Sequence, residues 1–329
     1  MPGVRGDNAK LYVKEAYKSF FEKHKQLKPM YSQIFKVVKA TEGDGDRETQ
    51  HINVGKPTER EVENDGINFR SPVQGWTFQV AYKEYTDGLA LSKRQVQNSV
   101  KVKKLLKTLA SGWAIQSIRI KEEHGAIVFN EGGNTSGNAV FNGSFTDNAD
   151  ATGNLLYDSK PMFNLTGNAR RIFAQTAGQA SYYNAVSGLS LTPGNFETLY
   201  DLVTVTNAVD ERGDKVDMMA DTLLTECGAQ HRIARRIVET DGLPFSQNND
   251  INPYRGIVEA MSWRYLDDSS AFYVGKKQHD DFQFHQRQTP EIRYFRDENT
   301  LGYNASFNEE FGVFIKNWRC WARGGGTFA

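Results

Sequence analysis

The segment Thr41 to Gly66, TEGDGDRETQHINVGKPTEREVENDG, constrains the fold of this chain more than any other. It carries eleven Asp, Glu, Lys or Arg in 26 positions, and its only aliphatic residues larger than Ala are Ile52, Val54 and Val62. Such a stretch has little to build a core with, yet strand-like segments flank it. One is YSQIFKVVKA, 31–40; the other is GWTFQVAYKEYTDGLALS, 75–92, in which Trp76, Phe78, Val80 and Tyr82 alternate onto one face. Connections inside compact domains usually run to about 2–6 residues, so the pattern predicts an extended hairpin with a long polar tip. An isolated two-stranded hairpin is marginal in water, and ordering its tip costs about 1–2 kcal/mol per residue. Contacts beyond the subunit's own core are needed to offset that cost.

The rest of the chain alternates helix and strand. Residues 8–28 read as an amphipathic helix or an extended arm, with Leu11, Ala16, Phe20 and Phe21 loosely at helical spacing. Ser92 is fit to cap a long helix whose stripe is Val96, Val100, Leu105, Leu109, Trp113 and Ile120, with Lys and Arg opposite. About 30 residues make a rod of roughly 45 Å, a spine for something flat or extended. Asn130 to Asn168 is rich in Gly, Asn, Ser, Thr and Asp and reads as a long loop. A helix starting near Thr192 or Asn195, a DERGD turn, a buried strand in 218–226 and a helix over 227–242 ended by Gly242 follow. Strands then alternate with turns over 248–277, and 282–322 is strand-rich.

Chemistry is sparse in this sequence. HDDFQFH, with His279, Asp280, Asp281 and His285, is the best metal candidate, because His and Asp at such spacing ligate zinc or iron; a turn entering a strand explains it equally well. Glu122, Glu123 and His124 read as a solvated helix end. There is no nucleophile elbow, phosphate loop or dinucleotide fingerprint, so neither an enzyme nor a cofactor is expected. Lys plus Arg equals Asp plus Glu, 40 each, which gives no global basic excess for nucleic acid. Locally, Lys101, Lys103, Lys104 and Lys107 on the long helix are a candidate phosphate-facing surface, or else a solvated face paired with acidic neighbours. Cys227 and Cys320 are expected reduced and buried or half-buried. No apolar signal core or membrane-spanning run is present, so the chain is expected in the cytoplasm of the cell that makes it, with no membrane partner.

The order of these elements resembles that of the major capsid proteins of tailed bacteriophages, the Hong-Kong-97-type fold, and in particular its phage-Mu-like subset. The local patterns that carry the resemblance are YKEYTDGLALSKRQVQNS, GNLLYDSKPMFN, VDMMADTLLTECGAQHRIARRIV, NNDINPYRGIVEAMSWRYLDDSSAFYVGKK and FRDENTLGYNASFNEEFGVFIKNWRCWARGG. The resemblance implies an α+β fold with an N-terminal arm (1–33), an extended loop (34–90), a peripheral domain with the spine helix (91–193 and 276–329) and an axial domain (194–275). It implies self-assembly as hexamers and pentamers into an icosahedral shell around double-stranded DNA, in the virion after assembly in the bacterial cytoplasm. It also implies that the loop tip lies over a neighbouring subunit, with Asp44, Asp46, Arg47, Glu48, Lys56, Glu59, Arg60 and Glu61 pairing across the interface. A strand of about 20 residues reaches roughly 65 Å, enough for that. Some members cross-link a loop Lys to a neighbour's Asn; Lys56 is the one tip candidate here. The hairpin is reached by about residue 34, so a separate scaffolding protein is implied, beside a portal and a decoration or cement protein. The alternatives are an encapsulin-like compartment and, remotely, a metal-dependent hydrolase built on HDDFQFH.

Overall fold

The computed structural model describes residues 4–40, 47–52, 71–79, 82–92, 101–133, 156, 158, 160–242, 251–296 and 303–326. The chain divides into two compact units: 1–44 with 82–125 and 284–313, and 45–81 with 126–283 and 314–329.

The first unit is a four-stranded sheet in the order β1 (Lys36–Lys39), β9 (Phe282–Arg296), β10 (Tyr303–Ile315), β4 (Lys83–Leu91). Strand β10 runs antiparallel to β4, from Tyr303 opposite Leu91 to Phe311 opposite Lys83. Period-two alternation buries Ala305, Phe307, Glu309, Phe311 and Val313 on one face of β10. Against this sheet pack α1 (Val4–Gln26), through Ala16 and Phe20, and α3 (Lys101–Asn130), through Leu106, Ala110, Trp113 and Ala114. The Trp113 indole N–H donates to Asp87 Oδ2 at 2.6 Å, fixing the helix to β4.

Three expectations change here. Leu105 is 48% exposed, and the inward stripe of α3 runs instead through Leu106, Ala110, Trp113, Ser117 and Lys121. Polar residues on that stripe hide it from apolar periodicity. Residues 31–40 are not one strand: a helical turn, α2 (Tyr31–Ile34), precedes β1. The Glu122 carboxylate accepts the backbone N–H groups of Met30 and Tyr31 and so caps that turn. Finally, β1 and β4 do not pair with each other, since β9 and β10 lie between them. The hairpin pairing is made by β2 (Arg47–Ile52), inside the polar stretch, with β3 (Val73–Gln79). The alternation in RETQHI supports a strand, and Ile52 is buried.

The second unit holds a five-stranded sheet in the order β5 (Ala185–Val186), β11 (Trp321–Gly324), β8 (Phe272–Gly275), β6 (Thr222–Glu226), β7 (Glu259–Trp263). Strand β6 pairs parallel with β7 and antiparallel with β8. All of β8 and β11 and most of β6 are buried, as interior strands of a covered sheet must be. The Phe129 ring meets Trp263, Tyr273, Phe282 and Trp321 edge-on, at 5.1–5.9 Å between centroids. Gly275 packs so closely on Trp321 and the Cys320 carbonyl that no Cβ fits.

Helix α4 (Pro193–Asp201) begins as expected, with the Thr192 hydroxyl accepting Asn195 N–H at 3.3 Å and Pro193 in the first turn. It runs into one π turn, Leu202–Thr206, where Asn207 N–H reaches Leu202 O at 2.9 Å. Helix α5 (Ala229–Glu239) ends at Thr240, two residues before Gly242. The Thr240 hydroxyl donates to Arg236 O, and the Thr240 backbone is already extended. Gly242 instead forms a bridge with Ile251. Among the described residues no helix is long and apolar enough to cross a membrane.

Candidate assembly site

The hairpin is a sheet of its own, so side chains must hold it. Among the described residues, Trp76 of β3 does so. Its indole N–H donates to Glu211 Oε2 at 3.1 Å, its ring meets Phe173 edge-on at 5.7 Å, and the Arg171 guanidinium lies 5.3 Å from its centroid. Glu211 is only 7% exposed. The DERGD turn places it there: Asp210 accepts Arg212 and Asp214 N–H groups, and Gly213 supplies the left-handed residue at φ 90°. A buried carboxylate needs partners. Arg319 Nη1 donates to Oε1 at 2.9 Å, and Phe173 N–H donates to Oε2 at 2.8 Å.

The network continues inward. Arg319 and Arg170 each lie 4.9 Å from the Trp318 ring. Arg170, fully buried, pairs with Asp158 at 3.1 Å. Burial pushes the Asp158 carboxyl above its usual range, against the pull of Arg170. Aromatic rings, guanidinium groups and carboxylates thus run without a break from the hairpin to the core of the second unit. This is positioning chemistry: it fixes β3 at Trp76 to the body of the second unit.

The first unit carries a second ionic cluster, within the apolar row of β10. Lys121 Nζ lies 2.7 Å from Glu309 Oε2, with Lys121 1% and Glu309 0% exposed. Ser117, one helical turn before Lys121, donates to the same oxygen at 2.7 Å. The expectation of a solvated helix end for Glu122, Glu123 and His124 is therefore corrected. Glu122 is buried under α2, Glu123 is half-buried on Arg119, and His124 is 3% exposed, edge-on to Phe311 at 5.5 Å. Burial first, and Lys83 second, push the His124 imidazole down to about 4.

Of the residues singled out in the sequence, Arg47 and Glu48 lie in β2 and Lys101 and Lys103 in the first turn of α3. Asp44, Asp46, Lys56, Glu59, Arg60 and Glu61 lie outside the described residues. Lys104 and Lys107 are exposed, and Lys107 pairs with Glu15 at 3.2 Å. The metal candidate does not assemble. Asp281 N–H donates to His279 Nδ1 at 3.2 Å, while His285 Nδ1 sits 3.1 Å from the Tyr82 hydroxyl. Strand alternation buries Phe282 and Phe284 and turns His285 to the other face. Among the described residues no group of three or more His, Cys, Asp or Glu is placed to hold a metal ion. Cys227 is exposed, contrary to expectation, and Cys320 is buried; both are free.

The residue that sequence reasoning missed is Glu211, which reads as one more charge in a turn. Its signal, the Trp76 partner 135 positions away, has no local trace.

No family model matches this chain, and no curated protein matches it either. Solved structures do. One from Mycobacterium phage Patience has a TM-score of 0.54 at 11% identity, covering 95% of this chain and 88% of that one. The capsid of an empty GTA particle aligns with a TM-score of 0.46 at 12% identity, over 88% and 87%. The procapsid of bacteriophage JBD30 aligns with a TM-score of 0.45 at 12% identity, over 100% and 77%.

Proposed function

We propose that this chain, an α+β protein of the Hong-Kong-97-type capsid fold, is the major capsid protein of a tailed double-stranded DNA bacteriophage. One observation carries the reading: the fold aligns along nearly the whole length of both chains with the Mycobacterium phage Patience structure. A fold hosts many functions in general, but this one offers a two-stranded hairpin fastened through Trp76 of β3. That feature suits a subunit that interlocks with its copies. In this reading hexamers and pentamers close an icosahedral shell in the host cytoplasm and persist in the virion. The arm is 1–33, the loop 34–90, the peripheral domain 91–193 with 276–329, and the axial domain 194–275. The charged loop residues Asp44, Asp46, Arg47, Glu48, Lys56, Glu59, Arg60 and Glu61 contact a neighbouring subunit. Each exposed pair contributes about 0–1 kcal/mol, so stability comes from repetition over the closed shell. Lys101, Lys103, Lys104 and Lys107 face packaged DNA non-specifically, and scaffolding, portal and decoration proteins are separate partners.

Negative-stain microscopy of the expressed protein, beside a version lacking residues 42–65, tests this. Shells, tubes or capsomers that vanish on deletion are expected. Absence of particles even with the neighbouring gene products present would sink the capsid reading.

A further inference from the structure

Trp76 is half-buried, on a two-stranded sheet that shares no strand with the other two sheets. The residues that receive its indole have other partners as well. Besides the indole, Glu211 holds Arg319 on Oε1 and the Phe173 N–H on Oε2. The Glu211 carbonyl accepts Ala174 N–H at 3.0 Å, which holds the 173–174 backbone in place. Arg171 Nη1 donates to Gln175 O at 3.0 Å, so the guanidinium plane is set from its own loop. The acceptor, the backbone that carries the ring wall, and the cation each have partners besides Trp76.

We propose that Glu211, Arg171 and Phe173 form a pre-built indole socket, a latch that fastens the β2–β3 hairpin through Trp76 and releases it with the socket left standing. When the indole withdraws, Glu211 stays paired and no strand of the five-stranded sheet loses a neighbour. Among the contacts given up are a hydrogen bond to a carboxylate and two ring contacts. Opening of this kind is local, drawn from the low-stability end of a fold. The latch goes beyond the capsid reading and does not require it.

The test is backbone amide hydrogen exchange on the unassembled full chain, for the parent and for Trp76→Phe and Trp76→Ala. Phe keeps the ring and deletes the donor; Ala deletes both. Amides of Arg47–Ile52 and Val73–Gln79 are expected to exchange about tenfold faster in Trp76→Phe and about a hundredfold faster in Trp76→Ala. Amides of Phe173, Ala174, β6 and β8 are expected to keep the parent's rates. Unchanged hairpin exchange in both variants would show that Trp76 fastens nothing. Loss of protection at Phe173 along with the hairpin would show that the socket exists only when filled. Should Trp76→Ala fail to fold, Trp76→Phe decides on the same amides. Particle formation is scored separately by microscopy, so failure of the capsid reading leaves the exchange result standing.

Discussion

Replacing Glu309 by Ala removes the carboxylate that balances Lys121 at a site where both side chains are essentially without solvent. The ammonium is left with the Ser117 hydroxyl, 3.2 Å away, and the Phe311 ring, 5.6 Å from Nζ to centroid. Neither neutralises a charge. Breaking a buried pair from one side costs about 3–5 kcal/mol, whereas replacing both members with apolar residues of similar volume is often neutral or stabilising. The expected pattern is therefore non-additive. Glu309→Ala, Glu309→Leu and Lys121→Met each destabilise the first unit by about 3 kcal/mol or more, and Lys121→Met with Glu309→Leu together costs less than either alone. At roughly 4 °C per kcal/mol, a single variant melts about 12–20 °C lower in scanning calorimetry. A single variant within about 1 kcal/mol of the parent, or a double variant as unstable as the sum of the singles, would refute the claim that this pair is buried and coupled.

Two further outcomes follow from the same geometry. The His124 imidazole has a folded value near 4 against an ordinary 6.5, so the unfolded chain takes up the proton first. Its contribution is complete above pH 6.5 and is lost as pH falls towards 4; about 2 kcal/mol should go between pH 6.5 and 5, and urea unfolding of His124→Gln should lack that part of the slope. Cys227 is exposed, while burial pushes the Cys320 thiol well up. A maleimide should therefore label one thiol in the native protein and two after denaturation, by mass spectrometry.

Local signals in this sequence were readable and long-range ones were not. The rod, expected after Ser92 and described over Lys101–Asn130, the Thr192 cap, and the buried strand, expected in 218–226 and found at Thr222–Glu226, each follow from residues adjacent in the chain. The inward face of the rod did not, because Ser117 and Lys121 are polar and their reason for facing inward is Glu309, 192 positions from Ser117. Leu105, with the apolar side chain, took their place in the expected stripe and is exposed. The hairpin was legible as an excursion, but its pairing strand lay inside the polar stretch, where alternation without hydrophobicity gives a weak signal. The HDDFQFH cluster shows the opposite failure: adjacency in sequence suggested a site, and strand alternation turned His285 to Tyr82.

The placement of β11 and β10 has a consequence for how the protein is made. Trp321–Gly324 lies between β5 and β8, inside its sheet, and Tyr303–Phe311 is what β4, at positions 83–91, pairs with. Neither sheet can close while the ribosome is still short of these positions. The apolar faces of α1 and α3 emerge early and wait for Phe307. Contacts this distant in sequence form slowly, and intermediates that expose apolar surface and open strand edges are prone to aggregate. Until β10 and β11 have been made, the two sheets are incomplete, and the apolar faces of α1 and α3 stay open to aggregation or to a holding chaperone.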